Sequence, residues 1–471
     1  MDGLEAVELK LSEVEDGVRI DAELYQKHFV QFLHHLKNLK TTTLQIEADI
    51  VKKGIFDIKA SSYNLRGIPF VRIGNLKNML IDTSDIIYIP ESENKKNIDT
   101  FLKRDDIILS KTANAAASLV NIECCNTSQD TVAIKLKPDS QLLSHFIVVY
   151  LNTISGLKEM QRWFTGNIQM HLNLTDCKTK MMIPVFEKHF QSAIKTLFEK
   201  SINKNEETIS KYKQAESLLL NELRLHNWQP TQANTEVKRV KNSFLQSGRL
   251  DAEYYQPKYD VLTEKIQQAE HYKLNELVKI KKSIEPGSAA YVEEGIPFIR
   301  VANLSKLGLS EPDIFLRSNH IDEIEKLYPK KDTILLSKDG SVGIAYKVEE
   351  DMKAITSGAI LHLMVNNEKI IPDYLTLVLN SILVQLQAER DAGGSIIQHW
   401  RKDEIEKVLI PVIAIEKQQQ IAKLIQQSFS LKKQSEQLLQ TAKQAVEIAI
   451  EEGEEKAMEF IKKFLKTVAN D

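Results

Sequence analysis

Short apolar runs bounded by charged or turn residues open each half of this chain. Ile107-Ile108-Leu109 and Ile334-Leu335-Leu336 are examples, and the pattern predicts β-strands. Each mixed segment is followed by a long stretch without Gly or Pro. The first, 189–223, carries Ile194, Leu197, Phe198, Ile202, Ile209, Tyr212, Leu219 and Leu223. The second, 418–450, carries Ile421, Leu424, Ile425, Phe429, Leu438, Leu439, Ala442, Ala445, Val446 and Ala449. Spacings of three, four and seven put these side chains on one helical stripe, while Lys, Glu, Gln and Ser fill the other faces. About 32 helical residues span roughly 48 Å, too long for one small domain to cover, so each helix is expected to pack on the other as a coiled coil.

The chain is written twice. Arg19-Ile20-Asp21-Ala22-Glu23-Leu24-Tyr25 returns as Arg249-Leu250-Asp251-Ala252-Glu253-Tyr254-Tyr255, and the Gly67-Ile68-Pro69-Phe70 block returns at Gly295. Asp105-Asp106 through Lys111 returns as 332–338, and Ile183-Pro184-Val185 as Ile410-Pro411-Val412. Four blocks in one order, with an offset that drifts only between 227 and 230, mark a duplicated module rather than a solenoid of short repeats. The expected fold class is α+β: two pseudo-symmetric domains separated by two long coiled-coil helices. The expected segments are 1–188 and 249–412 for the domains, 189–225 and 413–452 for the spacer helices, 226–248 for a polar linker and 453–471 for a charged C-terminal stretch, either helix or frayed tail.

Composition narrows the function. With 471 residues there is length for two to four domains. Lys+Arg number 62 against 65 Asp+Glu, a net charge of −3, so a nucleic-acid partner would need a local basic surface. Three cysteines, Cys124, Cys125 and Cys177, fit neither a zinc site nor a disulfide framework and suggest a reducing compartment. The acidic N-terminus does not read as a signal peptide, and no apolar run is long enough to span a membrane, so a cytoplasmic protein with no membrane partner is expected. No phosphate-binding loop, dinucleotide fingerprint, metal-protease motif or nucleophile elbow occurs. The reading is therefore non-catalytic, with no metal and no cofactor in this chain.

The residues that repeat suggest contact with DNA instead. Arg72 and Arg300 close predicted strands 68–73 and 296–301, followed by Asn75 and Asn303; a Phe-x-Arg-x-x-Asn edge suits phosphate, guanine or adenine contact. The alternative is that Arg72 neutralises a local carboxylate and Asn75 caps a turn. Lys111 and Lys338 follow apolar strands, next to Asn114 in one half and to the glycine turn bearing Ser341 in the other, and suit phosphate. Gln169 and His171 parallel Gln398, His399, Trp400 and Arg401 in polar loops suited to base edges, or to capping a helix start.

Taken in order, Arg249–Tyr255, Gly295-Ile296-Pro297-Phe298-Ile299-Arg300, Asp332–Gly340, Gly394 with Gln398, and Ile410-Pro411-Val412 before Glu416–Ala422 resemble the specificity subunits of type I restriction-modification systems. The resemblance implies two α/β target recognition domains, separated by the two long helices as an antiparallel coiled coil and reading an asymmetric bipartite target in double-stranded DNA. It implies docking of methyltransferase subunits, two of them, and of restriction/translocase subunits. S-adenosylmethionine, ATP and Mg²⁺ would reside on those partners. The first half departs from the pattern in lacking the glycine turn after Lys111 and in a looser helix start at Phe186–Gln191. Two other functions fit the same sequence: a duplicated coiled-coil scaffold that binds proteins, and a DNA-recognition subunit of another modification or defence complex.

Overall fold

The computed structural model describes residues 7–10, 25–58, 63–64, 66–77, 79–83, 85–112, 117–165, 171–233, 235–317, 323–393 and 397–470. Two compact units result: Met1–Lys204 with Lys433–Asp471, and Asn205–Lys432. The division falls within both long helices, so the C-terminal 39 residues, 433–471, group with the first half of the chain. No helix of the described residues is long and apolar enough to cross a membrane.

In the first unit, strand Thr131–Leu136 runs antiparallel between Ala48–Lys53 and Ile107–Ser110. A second sheet places Ile68–Val71 parallel to Cys124–Thr127. The second unit repeats the plan: Ile360–Val365 lies between Val278–Lys282 and Ile334–Ser337, and Ile296–Ile299 pairs in parallel with Ile355–Thr356. Arg19–Leu24, from the first repeat block, lie outside the described residues.

Backbone geometry explains which repeated residues are fixed. Gly67 and Gly295 adopt φ of +142° and +154°, and a Cβ there would meet the carbonyl oxygens of Ile89 and Leu316 at 2.5 Å. Glycine is thus required where each Gly-Ile-Pro-Phe strand begins. Asp105 and Asp332 both sit in the left-handed region, at φ of 72° and 65°. The predicted strands 68–73 and 296–301 end two residues early: Phe70 and Val71 are both buried, and short helical turns follow at Ile73–Asn75 and Val301–Asn303.

The long helices cover Lys188–Glu222 and Ile415–Glu452. In the first unit Ser201 Oγ lies 2.8 Å from Ser435 Oγ, and Ser435 Oγ donates to the Ser201 carbonyl at 2.9 Å. The Glu187 N–H meets the Glu454 carboxylate at 3.2 Å, so the helical segments of this unit run antiparallel. In the second unit Ser428 Oγ donates to the Thr208 carbonyl at 2.9 Å, and Lys417 pairs with Glu222 at 2.7 Å, again antiparallel. A hydroxyl can bond a carbonyl of the facing helix only where small side chains let the backbones approach. Buried positions recur every seven residues, Ile194, Ser201, Thr208 and Ala215 on one helix and Ile421, Ser428, Ser435, Ala442 and Ala449 on the other. The apolar stripe expected from sequence is corrected here, because Ile209 is exposed and Thr208 takes the seam.

Each helix start is locked to its α/β module by a fully buried glutamine. Gln191 Oε1 accepts the Leu143 N–H at 2.9 Å, while Nε2 donates to the Gln141 and Phe186 carbonyls at 3.0 and 2.8 Å. Gln418 repeats this with the Ile371 N–H at 3.0 Å and the Lys369 and Ile413 carbonyls, both at 2.8 Å. The first-half helix start, a looser match in sequence, keeps the one residue whose carboxamide can accept and donate at once. The C-terminal stretch is a helix, Glu454–Asn470, set off by Gly453 at φ +96°. It buries Ala457 and Ile461 in the first unit's core.

Two predictions follow from these buried polar groups. Gln418→Ala leaves three backbone groups without their partner and is expected to lower stability by about 1–3 kcal/mol in urea unfolding, whereas exposed Gln420→Ala leaves it unchanged. His362, buried with Nε2 2.7 Å from Thr356 Oγ1, has its pKa pushed down to about 4 by burial. A folded-state value below the unfolded one means that its stability contribution is complete above pH ~6.5 and is lost as the pH falls towards 4, by ~3 kcal/mol at most. His362→Asn is expected to flatten the stability–pH curve over that window.

Candidate nucleic-acid interface

One turn in each module gathers the repeated basic residues that the sequence offers separately. In the first, the Thr131 N–H closes a turn on the Ser128 carbonyl at 3.0 Å. Three chain segments meet this turn. Ile55 bridges to Ser128 in parallel, the Ser128 N–H bonds the Val71 carbonyl at 3.0 Å, and the Lys111 N–H bonds the Asp130 carbonyl at 2.9 Å. Arg72, Phe56 and Lys111 therefore all flank residues 128–131. In the second, the turn 357–360 is met by Ile284, by the Ile299 carbonyl at 2.8 Å and by the Lys338 N–H at 2.8 Å, which brings Glu285, Arg300 and Lys338 around it.

The arginines hold their own turns. An Arg72 Nη reaches Asp85 at 3.2 Å, and an Arg300 Nη reaches both carboxylate oxygens of Asp313 at 2.8 Å, holding that carboxyl below its usual range. Their side chains stay 40% and 36% exposed. Among the described residues, Nε of each is buried without a hydrogen-bond partner. Asn75 is fully buried: its Oδ1 accepts the Arg72 N–H at 2.9 Å and its Nδ2 donates to Asp85 at 2.7 Å and to the Asp82 carbonyl at 3.1 Å. Asn303 does the same with the Arg300 N–H, Ser310 and the Glu311 carbonyl. The geometry gives both asparagines the turn-holding role, and a base contact would require breaking these bonds.

The turn after each central strand pairs with the polar loop. The Leu172 N–H donates to the Lys111 carbonyl at 2.8 Å, and Thr112 bridges to His171. In the second module the Trp400 N–H donates to the Lys338 carbonyl at 2.8 Å, the Gly340 N–H to the Gln398 carbonyl at 2.9 Å, and Asp339 bridges to His399. This register aligns His171 with His399. Asn114 and Gln169 lie outside the described residues.

Trp400 is 1% exposed and part of the second core, where its counterpart is buried Leu172; its placement at a reading surface is corrected. Gln398 and His399 are exposed, as is their neighbour Ile397. Arg401 is 67% exposed and closes the start of helix Lys402–Ile405: its N–H donates to Glu404 at 3.1 Å and an Nη to the same carboxylate at 2.9 Å. Ser341 is exposed on the turn, and its carbonyl accepts from Ser337 Oγ at 2.6 Å. Gly340, at φ +73°, has open space where a Cβ would stand, so conformation alone calls for glycine there.

Charge is distributed unequally. Lys338 is ion-paired with Asp339, which also lies 2.8 Å from His399 Nδ1. Partial burial, and then the like charge of Lys53, hold the Lys111 ammonium below its ordinary value. The sheet register sets Lys53 opposite Val132, beside the same turn. Lys53 and Phe56 were missed from sequence; an exposed aromatic next to a lysine-ended strand is the signal that would have found them. Among the described residues no group of His, Cys, Asp or Glu could hold a metal ion.

Charge-neutral Asn75→Ala is expected to destabilise the first module by about 1–3 kcal/mol, since it strips the partners from a buried turn. Arg401→Ala, at an exposed cap, is expected to leave stability unchanged. Urea unfolding of the two variants checks the assignment.

Comparison with known proteins found one family model and several similar solved structures. Residues 267–443 match the family model "Type I restriction modification DNA specificity domain". The fold is similar to the S subunit of a type I restriction-modification system from M. genitalium, at 14% identity over 90% of this chain and 96% of that one, with a TM-score of 0.36. It is also similar to the HsdS subunit of Thermoanaerobacter tengcongensis, at 13% identity over 88% and 97% of the two chains and a TM-score of 0.28. A third similar structure, described under complex assembly and conformational transition of the type I R-M system, has 13% identity over 88% of this chain and 98% of that one, with a TM-score of 0.29. No curated protein matches the chain.

Proposed function

We propose that this chain, whose residues 267–443 match the type I restriction modification DNA specificity domain, reads two separate segments of double-stranded DNA with its two modules. On this reading it directs methyltransferase and restriction subunits to that bipartite target. The observation that carries the reading is the duplication: the first half repeats the central strands of the matched half, the glycine that opens its Gly-Ile-Pro-Phe strand, its left-handed aspartate and its buried glutamine. A second reader follows from a second copy of the reading framework. The loop contacts differ between the copies, Lys111 with Thr112 and His171 against Lys338 with Asp339 and His399, so the two DNA segments are expected to differ in sequence. The reaction belongs to partner chains in the cytoplasm, which would bring S-adenosylmethionine, ATP and Mg²⁺.

The antiparallel helices serve as the spacer. Successive major grooves on one face of DNA lie about 34 Å apart, and a helix of 35 residues spans roughly 52 Å, so overlapped helices of this length suit two readers one turn apart. The seven-residue recurrence of the seam means that a length change is tolerated only in whole heptads made in both helices. Inserting seven residues between Ser201 and Thr208, with seven between Ser428 and Ser435, adds roughly 10 Å. The preferred gap between the two DNA segments is then expected to grow by about three base pairs. Binding of the complex to duplexes of graded spacing measures this; an unchanged optimum would contradict the spacer role. Binding should also weaken steeply with salt, because the release of condensed phosphate counterions gains less as the salt concentration rises. A protein that binds no duplex with methyltransferase subunits present is a scaffold.

A further inference from the structure

The two modules share their framework, yet at one position beside the central turn they differ in kind. Phe56 is 70% exposed and stands one residue beyond Ile55, which bridges to Ser128. Sheet register makes Glu285 its counterpart, one residue beyond Ile284 at Ser357. Exposing a phenylalanine to water has no folding benefit, and a lone exposed ring needs a reason only where its surroundings point to a ligand. Here they do. Lys53 Nζ stands over the Phe56 ring at 4.9 Å, and strand alternation puts Lys53 and Lys111 on one face of the sheet. Among the described residues neither lysine has a carboxylate within ion-pair distance; the like charge of Lys53 opposes the Lys111 ammonium and the charge of Asp130 favours it. Arg72, half exposed, flanks the same turn. In the second module the counterpart of this ring is an acid and Lys338 is already neutralised by Asp339.

We infer that Phe56 is a DNA-contacting wedge of the first module, inserted between two base steps while Lys53 and Lys111 hold the phosphates on either side. The inference rests on the DNA-reading function proposed above. Apolar side chains that enter a base step unstack it and kink the duplex, and flanking cations supply the phosphate contacts that position the wedge. The second module, with Glu285 in that place, makes no such insertion, so the deformation is confined to one of the two DNA segments.

The test uses the full chain with its methyltransferase subunits and a duplex carrying the target sequence mapped by methylation. Binding is read by fluorescence anisotropy, and bending by energy transfer between the duplex ends. Phe56→Ala is expected to weaken binding about 10- to 100-fold and to straighten the duplex, without changing the slope of affinity against salt. Phe56→Leu keeps an apolar wedge and is expected to retain most of the bend. Lys53→Ala and Lys111→Ala should instead each lower the salt slope by about one. Affinity within twofold of wild type and an unchanged bend for Phe56→Ala would overturn the wedge while leaving DNA reading intact. A wild-type complex that shows no salt-dependent duplex binding would overturn both. Thermal melting of the Phe56 variants should match wild type, because the ring is on the surface.

Discussion

The carboxamides of Gln191 and Gln418 sit where a long helix joins its α/β module, and each closes one accepted and two donated backbone hydrogen bonds out of reach of water. A carboxylate could not donate, and an apolar residue would leave three backbone groups unpaired. The direction in which the helix leaves the module is thereby fixed by polar geometry rather than by apolar contact alone. A reader mounted on a spacer depends on that joint. If the helix could swivel where it begins, residues gathered around the turns 128–131 and 357–360 would not be presented at a defined angle.

Duplication let the framework and the contact surface separate. Identical backbone demands kept Gly67 with Gly295, Asp105 with Asp332 and Asn75 with Asn303, because each occupies a left-handed or buried position that admits few residue types. Positions on the same turns that carry no such demand have diverged: Phe56 against Glu285, and Thr112 against Asp339. Residues that repeat mainly hold the fold, and residues that differ are where two distinct DNA segments could be told apart.

That division explains what was legible in the sequence. The offset blocks and the glycine-free stretches gave the duplication and both long helices, since these are patterns of backbone demand. The seam was misplaced at Ile209 because its middle positions are Ser201, Thr208, Ser428 and Ser435, which bond across by hydroxyl and look polar in a periodicity count. Asn75, Asn303 and Trp400 looked like reading residues because hydrogen-bonding and aromatic types suit both jobs; only their burial separates turn-holding and core packing from contact. Repetition drew attention to the turn-holding Asn75 and Asn303 as much as to Arg72, Lys111, Arg300 and Lys338. Phe56 was overlooked because it does not repeat.

The central claim is that two unlike readers act on one duplex, and base-resolution mapping of DNA methylation in the cell of origin, with and without this gene, tests it most directly. The account predicts a two-part motif with unequal halves and unspecified bases between them, present with the gene and lost without it. A continuous or palindromic motif, or a methylation pattern unchanged by deletion, would contradict it.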